Sequence, residues 1–163
     1  MTVDRSSPPR WAVAIVTGGS SRAGREVAYG LAGWEWPIVL VYFDHQALAE
    51  VAISEITASG GTTVAVRADL ADDLDVQRLF TESSAAFGDV DVVVHTTTEY
   101  ATLLYEQAAR SVREHGAIVS TVAADPIPPL VASQLQKRGV SLGWVPPEAV
   151  LAFLDMWRHQ NNG

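Results

Sequence analysis

Apolar residues fall into six short runs along the chain: Trp11–Val16, Ile38–Phe43, Thr62–Arg67, Val90–Val94, Ala117–Val122 and Val140–Val145. Most are near-continuous in valine, isoleucine and alanine rather than alternating with polar residues. That pattern suits strands buried on both faces, as in a parallel sheet covered by helices. Between the runs the spacing becomes helical. Leu48, Val51, Ala52 and Ile56 make one stripe, and Leu79, Phe80, Ala86 and Phe87 make part of a second. Ala101, Leu104, Ala108 and Val112 make a third, and Val150, Leu151, Leu154 and Trp157 a last. Asp72 and Asp73 suit a helix N-terminus, and Pro147 with Glu148 suits a first turn. Gly60-Gly61 and Gly139 read as helix stops. The alternation predicts right-handed βαβ units in an α/β, three-layer, doubly wound parallel sheet of about six strands.

A length of 163 residues fits a single domain. Residues 1–10, with Ser6-Ser7-Pro8-Pro9, read as a flexible leader, and residues 11–163 as the domain. The chain has no cysteine, which excludes disulfides, thiolate catalysis and cysteine metal sites. His45, His95, His115 and His159 are not spaced to share a metal ion, so no metal site is expected. No apolar run is long enough to span a membrane, and no signal-peptide pattern is present, so a cytoplasmic location is expected. A net charge of −8 argues against nucleic acid or an anionic membrane as a partner.

Thr17-Gly18-Gly19-Ser20-Ser21-Arg22-Ala23-Gly24 follows the first run and opens a helical segment. Glycines at such a turn let the backbone approach a pyrophosphate, and the helix N-terminus adds free N–H groups and a positive dipole end. The plain alternative is a tight strand-to-helix turn that binds nothing. The segment resembles the cofactor turn of short-chain dehydrogenases/reductases, Thr-Gly-x-x-x-Gly-x-Gly. The likeness continues in order through Ala68-Asp69-Leu70, the Phe87-Gly88-Asp89-Val90-Asp91 approach to the fourth run, Gly116-Ala117-Ile118-Val119, Arg138-Gly139-Val140 and Val145-Pro146-Pro147. It implies a reduced Rossmann-like sheet with strand order 3-2-1-4-5-6 and NAD or NADP as cofactor. Carried over residue by residue, it puts Thr17, Gly18, Ser20, Ser21, Arg22 and Gly24 at the cofactor's phosphates, and Asp69 and Leu70 at its adenine. His95, at the carboxyl edge of the fourth run, reads as a pocket-floor residue or, more plainly and in preference, as a hydrogen-bonded histidine at a strand end.

The chain also departs from that pattern. Arg22 stands where the family has its middle glycine. An arginine there obstructs the pyrophosphate if the position needs a positive φ, or salt-bridges to it if the side chain points outward. The second run ends Tyr42-Phe43-Asp44-His45 and does not choose between NAD and NADP. His95-Thr96-Thr97-Thr98 replaces the family's Asn-Asn-Ala-Gly, with bulkier β-branched residues. The family's catalytic serine position reads Val122-Ala123-Ala124, and no Tyr-x-x-x-Lys occurs anywhere. Ser133 and Lys137 mimic its spacing and read as a surface coincidence. No catalytic residue is therefore assigned.

Three readings follow. One is a non-catalytic binding or assembly partner, a homodimer or a heteromer with a full-length relative, contacting through Ala101–His115 and Pro126–Arg138. The second is a nucleotide-binding regulator. The third is an active NAD(P)-dependent oxidoreductase using Tyr100, Tyr105 or His95 as proton donor. Obstruction by Arg22 and the threonines predicts weak or absent cofactor binding. Trp144 is expected to fill volume left by missing helices.

Overall fold

The computed structural model describes residues 12–98, 101–122 and 127–161. Its strands are β1 (Ala14–Val16), β2 (Ile38–Tyr42), β3 (Thr63–Arg67), β4 (Val92–His95), β5 (Ala117–Ser120) and β6 (Ser141–Trp144). Its helices are α1 (Arg22–Gly33), α2 (Gln46–Ala58), α3 (Asp73–Phe87), α4 (Thr102–Ser111), α5 (Pro129–Lys137) and α6 (Val150–Asn161). The six strands are all parallel, in the order β3-β2-β1-β4-β5-β6. Order, direction and helical layers agree with the reading of the sequence.

The sheet has two buried faces because its central strands are built mostly of valine, isoleucine, leucine and alanine. Ile15, Val39 and Val93 pack under α3, α4 and α5 with Leu79, Leu104, Tyr105 and Leu135. Ala14, Leu40 and Val94 point the other way, packing with Leu31, Ala52, Leu154 and Trp157 from α1, α2 and α6. Crossovers alternate around β1, so β1 and β4 diverge at the centre. In an open α/β sheet this divergence leaves a crevice at the carboxyl ends of the strands.

Several local expectations shift. β1 begins at Ala14 because the Val13 N–H leaves the ladder and donates to Asp91 Oδ2 at 2.9 Å. Trp11, at the expected start, lies outside the described residues. β4 extends to His95, which pairs with Ser120. β5 stops at Ser120, whose hydroxyl accepts the Val122 N–H at 3.1 Å and turns the chain. The α2 stripe is narrower than expected: Ala49, Ala52 and Ile56 are buried, whereas Leu48 and Val51 face solvent. In α3 the buried set is Val76, Leu79, Phe80 and Ser83, and Ala86 is exposed. Trp144 does not fill volume; it stands 46 % exposed on the edge strand. Trp36 is the tryptophan that fills core, edge-to-face with Trp157 at 6.0 Å.

Candidate functional site

The first turn of α1 is built by its own sequence. Ser21 is the N-cap, accepting the Gly24 N–H at 3.2 Å through its hydroxyl, which itself donates to the Gly18 carbonyl at 2.8 Å. Gly18 sits at φ +75, a conformation that L side chains rarely adopt. A Cβ there would lie 2.3 Å from Thr96 Oγ1, and one on Gly24 would lie 2.2 Å from the Gly18 carbonyl oxygen. These two glycines let strand, turn and helix meet.

A second layer locks the turn from below. The Thr17 hydroxyl accepts the Thr96 N–H at 2.9 Å, and the Thr96 hydroxyl donates to the Thr17 carbonyl at 2.8 Å. His95 Nδ1 is 2.9 Å from the same Thr17 hydroxyl. His95 is fully buried and meets the Tyr105 ring edge-to-face at 6.2 Å.

Above this lock lies an open cleft of about 180 Å³ at the carboxyl ends of β1, β2 and β3. Thr17, Gly18, Ser20, Tyr42, Asp44, Leu70 and Thr97 are among its lining residues. Of the residues singled out from sequence, Thr17, Gly18, Ser20 and Leu70 thus come together in its lining, from beyond the ends of β1 and β3. Ser21 and Gly24 shape the turn that carries Gly18 and Ser20.

Three others are placed differently. Arg22 is the first residue of α1, in helical rather than positive-φ backbone. Its side chain is 87 % exposed and pairs with Glu26 at 2.8 Å. The steric ground for obstruction is therefore absent: the positive φ belongs to Gly18. Asp69 is used internally. Its carboxylate accepts the Ala71 N–H at 2.9 Å, and its own N–H donates to Asp75 Oδ2 at 2.9 Å. That N–H, more than the neighbouring Arg78, holds the Asp75 carboxyl below its usual range. His95 is a buried support for Thr17 rather than an exposed pocket floor.

The proton-donor candidates are equally constrained. Tyr105 and His95 are both fully buried, and Tyr100 lies outside the described residues. Ser133 and Lys137 are exposed on α5. Tyr42, Asp44 and Thr97 also line the cleft: their stretches stood out in the sequence as departures from the family's cofactor contacts, but none of the three was assigned as a binding residue. Their signal was positional, in or just after an apolar run at the carboxyl edge. Thr97 Oγ1 is buried there with no hydrogen-bond partner among the described residues.

The cleft fits the adenosine and pyrophosphate end of a dinucleotide. It has a glycine turn at positive φ leading into a helix N-terminus, and a hydroxyl in its lining, Thr97 Oγ1, with no hydrogen-bond partner among the described residues. A larger hollow of about 340 Å³ lies between α1 and α2, lined by Tyr29, Gly33, Glu55 and Ser59. It lies by the C-terminal ends of both helices, where the dipole disfavours phosphate. Among the described residues no group of acids and histidines could hold a metal ion, and no helix is long and apolar enough to cross a membrane.

The profile of the family described as short chain dehydrogenase matches residues 12–115, which include every lining residue of the cleft. The chain belongs to this family. A short-chain dehydrogenase structure from Oenococcus oeni superposes with a TM-score of 0.74 at 16 % identity, covering 90 % of this chain and 88 % of that one. A dehydrogenase from Burkholderia cenocepacia with bound NADP gives 0.71 at 20 % identity, covering 83 % and 68 %. In sequence, a 3-oxoacyl-[acyl-carrier-protein] reductase from a Synechocystis species is 34 % identical over 83 residues, covering 51 % of this chain and 34 % of the relative. The chain spans about a third of the length of the curated relatives it matches. The family match runs from before β1 through α4 and ends before β5.

Proposed function

We propose that this chain is a dinucleotide-binding domain that takes the adenosine and pyrophosphate of NAD or NADP in the cleft over β1–β3. The observation that carries the reading is the Gly18 turn at the N-terminus of α1, held at positive φ against Thr96, with the unpartnered Thr97 hydroxyl in the same lining. Thr17, Gly18 and Ser20 border the phosphates, and Leu70 borders the adenine. A bound nicotinamide would supply hydride transfer.

The chain acts as a binding or regulatory module, alone or assembled with a second copy or a full-length relative, rather than as a self-sufficient reductase. Support comes from the sequence, which contains no Tyr-x-x-x-Lys, and from the burial of Tyr105 and His95. Trp144, Met156 and Leu130 offer exposed apolar area for association. A second reading, an active oxidoreductase, draws on relatives named as reductases.

Titration with NADH and NADPH, followed by tryptophan fluorescence and by melting temperature, tests the binding. Saturable binding with a raised Tm is expected; no response at millimolar cofactor would overturn it. Steady oxidation of either cofactor with a panel of ketones, lost in Tyr105→Phe or His95→Ala while the fold survives, would replace the regulatory reading with the enzymatic one.

A further inference from the structure

The cleft's ribose end has a charge pattern that the family resemblance does not provide. In a sheet of this order the ribose of a bound dinucleotide lies over the carboxyl end of the second strand, where an acid bonds its hydroxyls or an arginine accommodates a 2′-phosphate. Tyr42, the last residue of β2, can do neither by charge. Phe43 and Asp44 follow it, and all three line the cleft. Asp44 is exposed, and no hydrogen bond or ion pair engages it among the described residues. It is the one acid among the lining residues, which include no lysine or arginine.

The cations of this corner are held elsewhere. Arg67 pairs with Tyr42 across β2 and β3, and its guanidinium stacks on the Phe43 ring at 4.6 Å, outside the cleft lining. Arg78 is bound to the Arg67 carbonyl at 2.6 Å and to Asp75 and Glu82 at 3.4 and 3.2 Å. Arg22 faces Glu26 on α1.

We infer that Asp44 makes this cleft selective for an unphosphorylated ribose, so that the chain takes NAD(H) in preference to NADP(H). The inference rests on the proposed dinucleotide binding. The carboxylate accepts from the ribose hydroxyls of NAD and repels the 2′-phosphate of NADP. Two negative groups within one small cleft cost about tenfold in affinity even when water screens most of the field. Phe43 contributes by exclusion, placing an apolar ring where a phosphate would need donors.

Calorimetric titration of the whole chain with ADP-ribose and with 2′-phospho-ADP-ribose tests this without any step at the nicotinamide. ADP-ribose is expected to bind about tenfold more tightly. Asp44→Asn should bring the two ligands to within about threefold, and Phe43→Arg combined with Asp44→Asn should reverse the order. Equal affinities in the native chain, or a native preference for the phosphorylated ligand that Arg67→Ala abolishes, would overturn the inference and leave dinucleotide binding standing. Binding of neither ligand at millimolar concentration would overturn dinucleotide binding itself. Far-ultraviolet circular dichroism of each variant separates a specificity change from a folding failure.

Discussion

Thr96 bonds Thr17 twice, its N–H donating to the Thr17 hydroxyl at 2.9 Å and its hydroxyl to the Thr17 carbonyl at 2.8 Å. This pair ties the end of β4 to the start of the glycine turn. The threonines that departed from the family pattern are thus part of the site's scaffold. Thr96→Ala removes one of the two bonds and should lower stability by about 1 kcal/mol. Thr17→Val strips the acceptor from Thr96 N–H and the partner from His95, and should cost about 1–3 kcal/mol. Denaturant unfolding of both variants checks the ranking, and nucleotide affinity should fall in the same order.

Gly24→Ala puts a methyl group 2.2 Å from a backbone oxygen that cannot rotate away. The turn must open, at a cost of about 1–3 kcal/mol. Gly33→Ala, where a Cβ meets nothing within 4 Å, should leave the unfolding midpoint unchanged or raise it slightly. The contrast between these two variants of one helix, read by thermal melting, isolates the close approach from helix propensity.

Arg22→Gly should leave the melting temperature almost unchanged, since the side chain is exposed and its pairing with Glu26 lies in solvent. Dinucleotide affinity should change by no more than about threefold, because Arg22 lies outside the cleft lining and is held by Glu26. Tighter binding in this variant would restore the view that arginine obstructs the site.

Asp91 is buried at the base of β4, and burial raises its carboxyl above the usual range. The Val13 N–H and Arg113, 3.7 Å away, oppose the rise. A raised folded-state value means the folded protein binds this proton more tightly than the unfolded chain. This group therefore favours folding at low pH, and its contribution declines as pH rises from the ordinary carboxylate range through the raised value. Asp91→Asn keeps an oxygen for Val13 N–H and should flatten that part of the stability–pH curve at little cost near neutrality. Asp91→Ala leaves the N–H unpaired and should cost about 1–3 kcal/mol. Melting curves across pH distinguish the two.

Trp144→Ser should change stability by no more than about 0.5 kcal/mol, because the ring is exposed. Trp36→Ser removes core packing and should cost several times more; buried Trp-to-Ala changes cost about 3–5 kcal/mol. Sedimentation of Trp144→Ser beside the native chain also reads any association through the edge strand.

The runs of apolar residues in β1, β2, β4 and β5 determined, by themselves, a parallel sheet whose central strands are buried on both faces, because no alternation leaves a wet side. The glycine turn was legible for a similar local reason: strand, Gly18, Ser21 cap and helix are consecutive, and their geometry follows from neighbouring residues. What only the tertiary structure decided involves contacts between distant segments. Helical periodicity counted Leu48 and Val51 into the core, but the face that α2 presents depends on where α1 and β3 lie. His95 could be read from sequence as a pocket residue or as a hydrogen-bonded strand end; only the fold showed that its partner is Thr17, seventy-eight positions earlier. Arg22 looked obstructive because strain was assigned to the wrong residue of the turn. Asp44 was visible as a charge at the end of the second run, but its place in the lining of a cleft required β1, β2 and β3 to be laid side by side. Strands declare themselves through their own side chains; a site formed by three strand ends exists only once the sheet has assembled them.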